Sequence, residues 1–110
     1  MAESFPLDLR FKGQRDYVQG PDMHDAVCAA LNERDVRNLT RVDFVAHHLA
    51  RAGLTAHPAA PGAAPAAAAA VFQFDCDGQR HVLHLLPDGR AITGREAFPE
   101  EEIKIGRAHV

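Results

Sequence analysis

Apolar and charged residues alternate near the start of the chain. Six consecutive positions follow this pattern: Leu7, Asp8, Leu9, Arg10, Phe11 and Lys12. A period of two with one charged face is typical of a strand that is buried on one side. We therefore predict a strand from Pro6 to Phe11, followed by a turn and a short second strand over 16–19.

The next pattern has the period of a helix. Its apolar residues share one face of such a helix: Met23, Ala26, Val27, Ala30 and Leu31. Pro21 suits a first helical turn because it lacks an N–H that would have no partner there, and Asp22 complements the positive end of the helix dipole. These residues predict a helix from Asp22 to Glu33, with His24 and Asp25 on its polar face.

Residues 38–55 fit two patterns. As a helix, the segment would be capped by Thr40, with Asp43 three positions later, and would end at Gly53. As a strand, it would place alternate apolar residues on one face: Val42, Phe44 and Ala46. The local signals favour the helix, and the strand stays open as the alternative.

Residues 58–70 are rich in alanine and proline. Alanine favours helices, but Pro58, Pro61, Gly62 and Pro65 interrupt the segment. Because its alanines offer little apolar area, we expect a flexible loop or linker, with order at most near residues 66–70. Deletion of residues 59–68 should leave the stability nearly unchanged.

A hairpin is predicted after this loop. Asp77 and Gly78 form the dipeptide that two-residue hairpin turns prefer, because both positions need a positive φ. A second turn is predicted at Pro87 and the three residues after it. The three strands of this antiparallel meander are predicted over the following ranges: 71–76, 79–86 and 90–93.

Together these elements predict one domain of the α+β class, an antiparallel sheet of four or five strands packed on one main helix. Residues 1–57 hold the first strands and the helix, 58–70 the loop and 71–104 the meander. The helix is expected to pack on four residues of the sheet: Leu7, Leu9, Phe72 and Phe74. If residues 42–52 form a strand, the element order resembles the hot-dog fold, whose members include thioesterases and dehydratases that act on acyl thioesters.

The end of the chain has an unusual sequence. Residues 105–110 read IGRAHV, which matches the translation of a widely used sequencing adapter. We expect this tail to be non-native, with native sequence ending near Lys104 and the gene a fragment. A genuine C-terminal tail is the alternative.

Charge and composition narrow the classes of function. A net charge of −3 gives no support for a nucleic-acid partner. No run approaches the roughly 20 apolar residues of a membrane-spanning helix, and residues 1–13 contain no export signal. We therefore expect a soluble, cytoplasmic protein. Arginine outnumbers lysine, and alanine is abundant. Because arginine and alanine have GC-rich codons, this composition indicates a GC-rich bacterial genome.

Neither the cysteines nor the histidines predict a metal site. Cys28 and Cys76 are too few and too far apart for a disulfide framework or a zinc site, so we expect buried, reduced thiols. The seven histidines lack the spacing of a zinc-binding helix, and His81 and His84 would lie on opposite faces of a strand. We predict no metal and no cofactor.

Polar residues cluster around the predicted helix start. Free N–H groups at such a terminus can bind an anion or a carbonyl oxygen, which makes four residues candidates for binding: Tyr17, Gln19, Gly20 and Asp22. His24 and Asp25 are the candidate catalytic residues, with the imidazole as a base. The simpler interpretation is that Asp22 caps the helix while His24 and Asp25 face solvent.

Two functions fit these patterns. The favoured one is a small binding or assembly module that forms a homo-oligomer and binds an unidentified ligand. The alternative is a hot-dog-type acyl-thioester enzyme with its site at the helix start. An apolar tunnel beside the helix start would favour the enzyme, whereas a filled core with His24 in solvent would favour the module.

Overall fold

The structure, a computed structural model, describes residues 3–63 and 67–96. These ranges contain one helix and seven strands, in the following order: β1 (Phe5–Pro6), β2 (Arg10–Lys12), α1 (Gly20–Glu33), β3 (Thr40–Ala46), β4 (Leu54–Ala59), β5 (Ala70–Cys76), β6 (Gln79–Pro87) and β7 (Gly94–Glu96). The tail over 105–110 and the end of native sequence near Lys104 lie outside the described residues.

Five of the strands form the main sheet, in the order β1-β4-β6-β5-β3. Each neighbouring pair is antiparallel, and α1 packs against the sheet. The predicted α+β class, with an antiparallel sheet on one main helix, is therefore confirmed. The chain enters this sheet as a strand, a helix and four further strands, which is the element order that we compared with the hot-dog fold.

The core lies between α1 and the sheet. The helix buries the residues expected of its apolar stripe: Met23, Val27, Ala30 and Leu31. They belong to one cluster with the four sheet-side residues predicted as their partners: Leu7, Leu9, Phe72 and Phe74. The match follows from geometry. Residues three or four apart share one face of a helix, residues two apart share one face of an extended chain, and the two apolar faces pack together.

The predicted first strand is divided in two. β1 pairs with β4 only at Phe5 and Pro6, and the Leu7 N–H donates to the carbonyl of Leu54 before the chain leaves the sheet. β2 then pairs in parallel with β7. Alternation persists across the break because an extended chain keeps a period of two without a continuous ladder. The predicted strand over 16–19 is reduced to one bridge, between Val18 and Ala50.

Residues 40–46 form a strand, so the favoured helix was wrong. A helix would have buried Val45 and Leu49 on one face, but these side chains are 46% and 53% exposed. The strand instead pairs with β5, and Phe44 packs against the core. Gly53 does not end a helix: a Cβ there would lie 2.8 Å from the Asp88 Oδ1 atom, so glycine permits a close approach.

The expectation of a flexible loop over 58–70 was wrong at its start, whereas the order expected near 66–70 is found at 68–70. Pro58 and Ala59 belong to β4, and Ala70 begins β5. Ala68 and Ala69 are buried, and the Ala69 N–H donates to the carbonyl of Leu85. Alanine adds little apolar area, but the backbone of Ala69 bonds to β6 as any residue that adjoins the β5–β6 ladder can.

The β5–β6 hairpin is confirmed. Cys76 pairs with Gln79, and both turn residues between them, Asp77 and Gly78, have positive φ. The third strand predicted over 90–93 is not formed. The chain instead extends to β7, which joins β2 in the small parallel sheet and leaves the meander with two strands.

A polar cluster holds the end of β6 against the start of β4. The Asp88 carboxylate accepts hydrogen bonds from the Arg90 Nε–H at 2.8 Å and from the Thr55 hydroxyl at 2.7 Å. Arg90 also donates through Nη2 to the carbonyl of Leu54. Mainly through the Arg90 side chain, these bonds lower the pKa of Asp88 from 3.8 to about 2.

Truncation of Leu31 tests the core. Leu31 is fully buried, so Leu31→Ala should lower the free energy of unfolding by about 2–5 kcal/mol. Leu49→Ala is the matched control, and its effect should stay below about 0.5 kcal/mol because the side chain faces solvent. Chemical denaturation followed by circular dichroism measures both values. Equal effects for the two leucines would contradict this packing.

The Asp88 cluster predicts a pH dependence. Because the pKa of Asp88 is lower in the folded chain, its stabilisation is complete above the ordinary value of 3.8 and is lost as the pH falls towards 2. Asp88→Asn should therefore lower the unfolding free energy by about 1 kcal/mol at pH 7, and the difference from wild type should shrink below pH 4.

The matched control for this variant is Asp8→Asn, since the Asp8 side chain is 84% exposed whereas that of Asp88 is 16% exposed. Denaturation at several pH values should show little effect of the control at any pH. A deficit in Asp88→Asn that stays constant down to pH 2 would show that the carboxylate charge is not responsible.

Candidate functional site

The helix start differs from the predicted one in its cap. α1 begins at Gly20, two positions before the predicted Asp22, and Gln19 is the N-cap without a side-chain hydrogen bond. The N–H groups of Asp22 and Met23 donate to the carbonyl of Gln19. Asp22 is therefore not the cap. Its carboxylate instead pairs with the Lys12 ammonium at 2.6 Å, which ties β2 to the first turn of α1.

A surface groove of about 400 Å³ lies between this first turn and the chain around β2. Its wall is mostly charged, with carboxylates and cations both represented: Asp8, Leu9, Arg10, Lys12, Asp22, Asp25 and Ala26. Of the residues predicted for a site, only Asp22 and Asp25 line it. Opposite charges on one short wall neutralise each other, so the groove does not select a ligand of either sign.

The other candidate binding residues have structural partners. Gln19 accepts a hydrogen bond from the Arg15 Nη1 at 2.7 Å, and the same guanidinium lies 5.6 Å from the centre of the Tyr17 ring. A Cβ at Gly20 would lie 3.1 Å from the Cβ of Ala46. Glycine therefore permits the helix start to approach β3, whereas Tyr17 and Gln19 contact Arg15 in the segment before the helix.

His24 packs between the helix and the sheet. The centre of its ring lies 5.6 Å from that of Phe44 and 5.4 Å from that of Phe72. The side chain is 38% exposed, so the interpretation that His24 simply faces solvent was wrong. The position follows from β3 being a strand, because that strand presents Phe44 to the helix.

The residues beside His24 do not form an activated nucleophile. The Nδ1 atom of His24 lies 3.9 Å from the Cys28 sulfur and 3.5 Å from the Asp25 Oδ1. Burial, and then the nearby charge of Asp25, raise the pKa of the Cys28 thiol. A raised pKa favours the thiol over the thiolate, which is the nucleophilic form. The raised pKa therefore disfavours Cys28 as a nucleophile, and the role of His24 as a base stays a prediction.

The surface formed by β3 was not among the sites predicted from the sequence. This strand is an edge of the main sheet, with no further strand beyond it in the described ranges. Its Val42 and Val45 side chains are exposed, as is that of Leu49 just beyond it. The alternating apolar residues that supported the strand alternative were the sequence signal for this surface. They did not show that β3 lies at the edge of the sheet, because that position depends on pairing with β5.

Searches for a metal site and for relatives give no further candidate. Over 3–63 and 67–96, no three histidine, cysteine or acidic residues are grouped so as to hold a metal ion. No helix in these ranges has the length and apolar character needed to cross a membrane. Comparisons with protein-family models, curated proteins and solved structures find no match.

Truncation of His24 tests whether packing of its ring stabilises the fold. His24→Ala removes the contacts with both phenylalanine rings and should lower the unfolding free energy by about 1 kcal/mol. His24→Phe retains an aromatic ring and should keep most of the stability. Asp25→Ala is the control on the exposed side of the same turn and should have little effect. Equal stability of His24→Ala and wild type would contradict a packing role.

Proposed function

We propose that this chain is an assembly module that forms a homodimer through β3. The observation that carries the proposal is a seven-residue edge strand with exposed valines. An edge strand presents N–H and C=O groups that can pair with another chain. The opposite edge is β1, which has only two residues and offers far less backbone for pairing.

The two halves of β3 differ in how they are protected. The register with β5 shifts between Thr40 and Asp43, which marks a bulge. Arg41, in the bulge, forms an ion pair with Asp75, and its carbonyl accepts a hydrogen bond from Arg80. Bulges and charges hinder edge pairing. The open part of the edge is therefore the second half, residues 43–46.

Antiparallel pairing of this half with a second copy satisfies two-fold symmetry. Such an interface is self-complementary, because each surface meets the same surface of the partner. Pairing centred on Val45 would bring the two Val45 side chains together on the face away from α1. The sheet would continue across the dimer, with both helices on its other face.

The acyl-thioester alternative has less support. It calls for an apolar tunnel beside the helix start, but the groove at that position has a mostly charged wall. The element order is compatible with both proposals, since one fold can serve many functions. The criterion of a solvent-facing His24 is not met either, because His24 packs on Phe44 and Phe72. The exposed edge strand is what favours assembly, and the enzyme stays a prediction.

Charge substitutions at Val45 test the dimer. Analytical ultracentrifugation should give a dimer for the wild-type chain and monomers for Val45→Lys and for Val45→Glu. Like charges at the centre of the interface would repel each other in either variant. A mixture of the two variants should restore a dimer, because lysine then faces glutamate. This restoration cannot result from a failure to fold.

Leu49→Lys is the matched control. Leu49 is at least as exposed as Val45 but lies outside β3, so this variant should remain a dimer. A wild-type chain that stays monomeric as its concentration rises would overturn the proposal. So would a dimer that survives in both Val45 variants.

A further inference from the structure

The sheet face away from α1 carries a partly covered pocket. Alternation places Val71 and Gln73 of β5 on this face, opposite in direction to the buried Phe72 and Phe74. Ala68, from the segment between β4 and β5, packs there in a second buried cluster. Beside that cluster lies a pocket of about 290 Å³, with the following lining: Val45, His47, Gly62, Ala63, Val71, Gln73, Val82 and His84.

Strand register sets the floor of this pocket. Val71 lies between Val45 on β3 and His84 on β6, because it is the register partner of both. Gln73 is the partner of Val82 in the next position of the ladder. The floor is therefore a patch of valines that holds one imidazole and one carboxamide, and His47 adds a second imidazole to the lining.

One polar atom of the residues that line the pocket lacks a hydrogen-bond partner. The Nε2 of His84 is buried and has no hydrogen-bond partner among the described residues. A buried polar atom without a partner destabilises a fold, because it has lost its hydrogen bonds to water without replacement. Because this nitrogen is closed to solvent, a ligand in the pocket reaches it only with a shift of the His84 side chain, and the new bond would then remove that penalty.

We propose that this pocket binds a small organic carboxylate with an apolar body. Imidazole and carboxamide groups can donate hydrogen bonds to a carboxylate, and bonds to a charged acceptor are the stronger ones. The described residues that line the pocket include no acidic side chain. One carboxylate neighbours the lining, that of Asp43, which is the register partner of Gln73 on β3. The valines provide the apolar wall that small-molecule pockets use for most of their contact.

The pocket and the proposed dimer interface share Val45, but they can be tested independently. Its lining comes from one chain, so binding does not require assembly. Val45 contributes to both features, whereas His84 lies on the central strand β6, away from the sheet edge. Substitution of His84 therefore tests the pocket alone.

Benzoate is a suitable probe for the full chain. Titration followed by the histidine ring signals in nuclear magnetic resonance should give saturable shifts at His84 and His47. A ligand of this size supports a dissociation constant in the millimolar range. Benzyl alcohol has the same ring without the charge and should bind at least about tenfold more weakly.

Two leucine variants complete the test. His84→Leu should abolish benzoate binding without lowering stability, because it removes the unpartnered nitrogen and keeps an apolar side chain. His81→Leu is the matched control on the same strand. His81 stacks on Phe74 on the opposite face, so this variant should bind benzoate as the wild type does.

Three results would overturn the proposal. They are the absence of saturable shifts in the wild type, equal affinity for benzoate and benzyl alcohol, and undiminished binding by His84→Leu. Each can be distinguished from failure of the dimer, because the oligomeric state is measured separately by ultracentrifugation.

Discussion

The burial of one face of α1 against the central strands is the interaction on which the rest of the structure depends. Met23, Val27 and Leu31 have no exposed surface, and neither do Phe72 and Phe74 beneath them. Burial of apolar side chains is the main favourable term in folding. The chain has a single long helix over 3–63 and 67–96, so this contact is the principal means of covering the sheet face.

That contact also sets the environment of the candidate site residues. With α1 docked, His24 is held against Phe44, and Gly20 comes close to Ala46 at the sheet edge. Lys12 reaches Asp22 from the other side. The polar residues at the helix start are therefore engaged in positioning the helix. The edge strand β3 and the sheet face away from α1 remain as the surfaces that can bind a partner or a ligand.

Patterns within short segments predicted the parts of the fold that depend on local periodicity. The stripe from Met23 to Leu31 and the Asp77-Gly78 turn are such features, because each is decided by residues close in sequence. Residues 40–46 were misassigned because their strand form depends on β5, about thirty residues later. The break after Pro6 likewise reflects pairing with β4 rather than a local signal.

The same limit applies to the site. Sequence proximity grouped Tyr17, Gln19, Asp22 and His24, but the fold does not bring them together as one site. Tyr17 and Gln19 both contact Arg15, whereas Asp22 pairs with Lys12 and His24 packs on Phe72. The pocket on the other face combines His47, Gln73 and His84 from three separate parts of the chain. Spacing within one segment carries no information about such a set, since strand order brings it together.

The small parallel sheet joins a strand near the start of the chain to the last strand that the structure describes. β2 pairs with β7, and Arg95 donates through Nη1 to the carbonyls of Gly13 and Arg15 while its guanidinium lies over the Phe11 ring. Neither strand has another pairing partner in 3–63 and 67–96. Release of β7 therefore removes the whole ladder of β2, although Lys12 still ties β2 to Asp22 of α1. The ladder between β2 and β7 is thus one opening unit. Their amides would exchange hydrogen with a shared opening free energy below that of global unfolding.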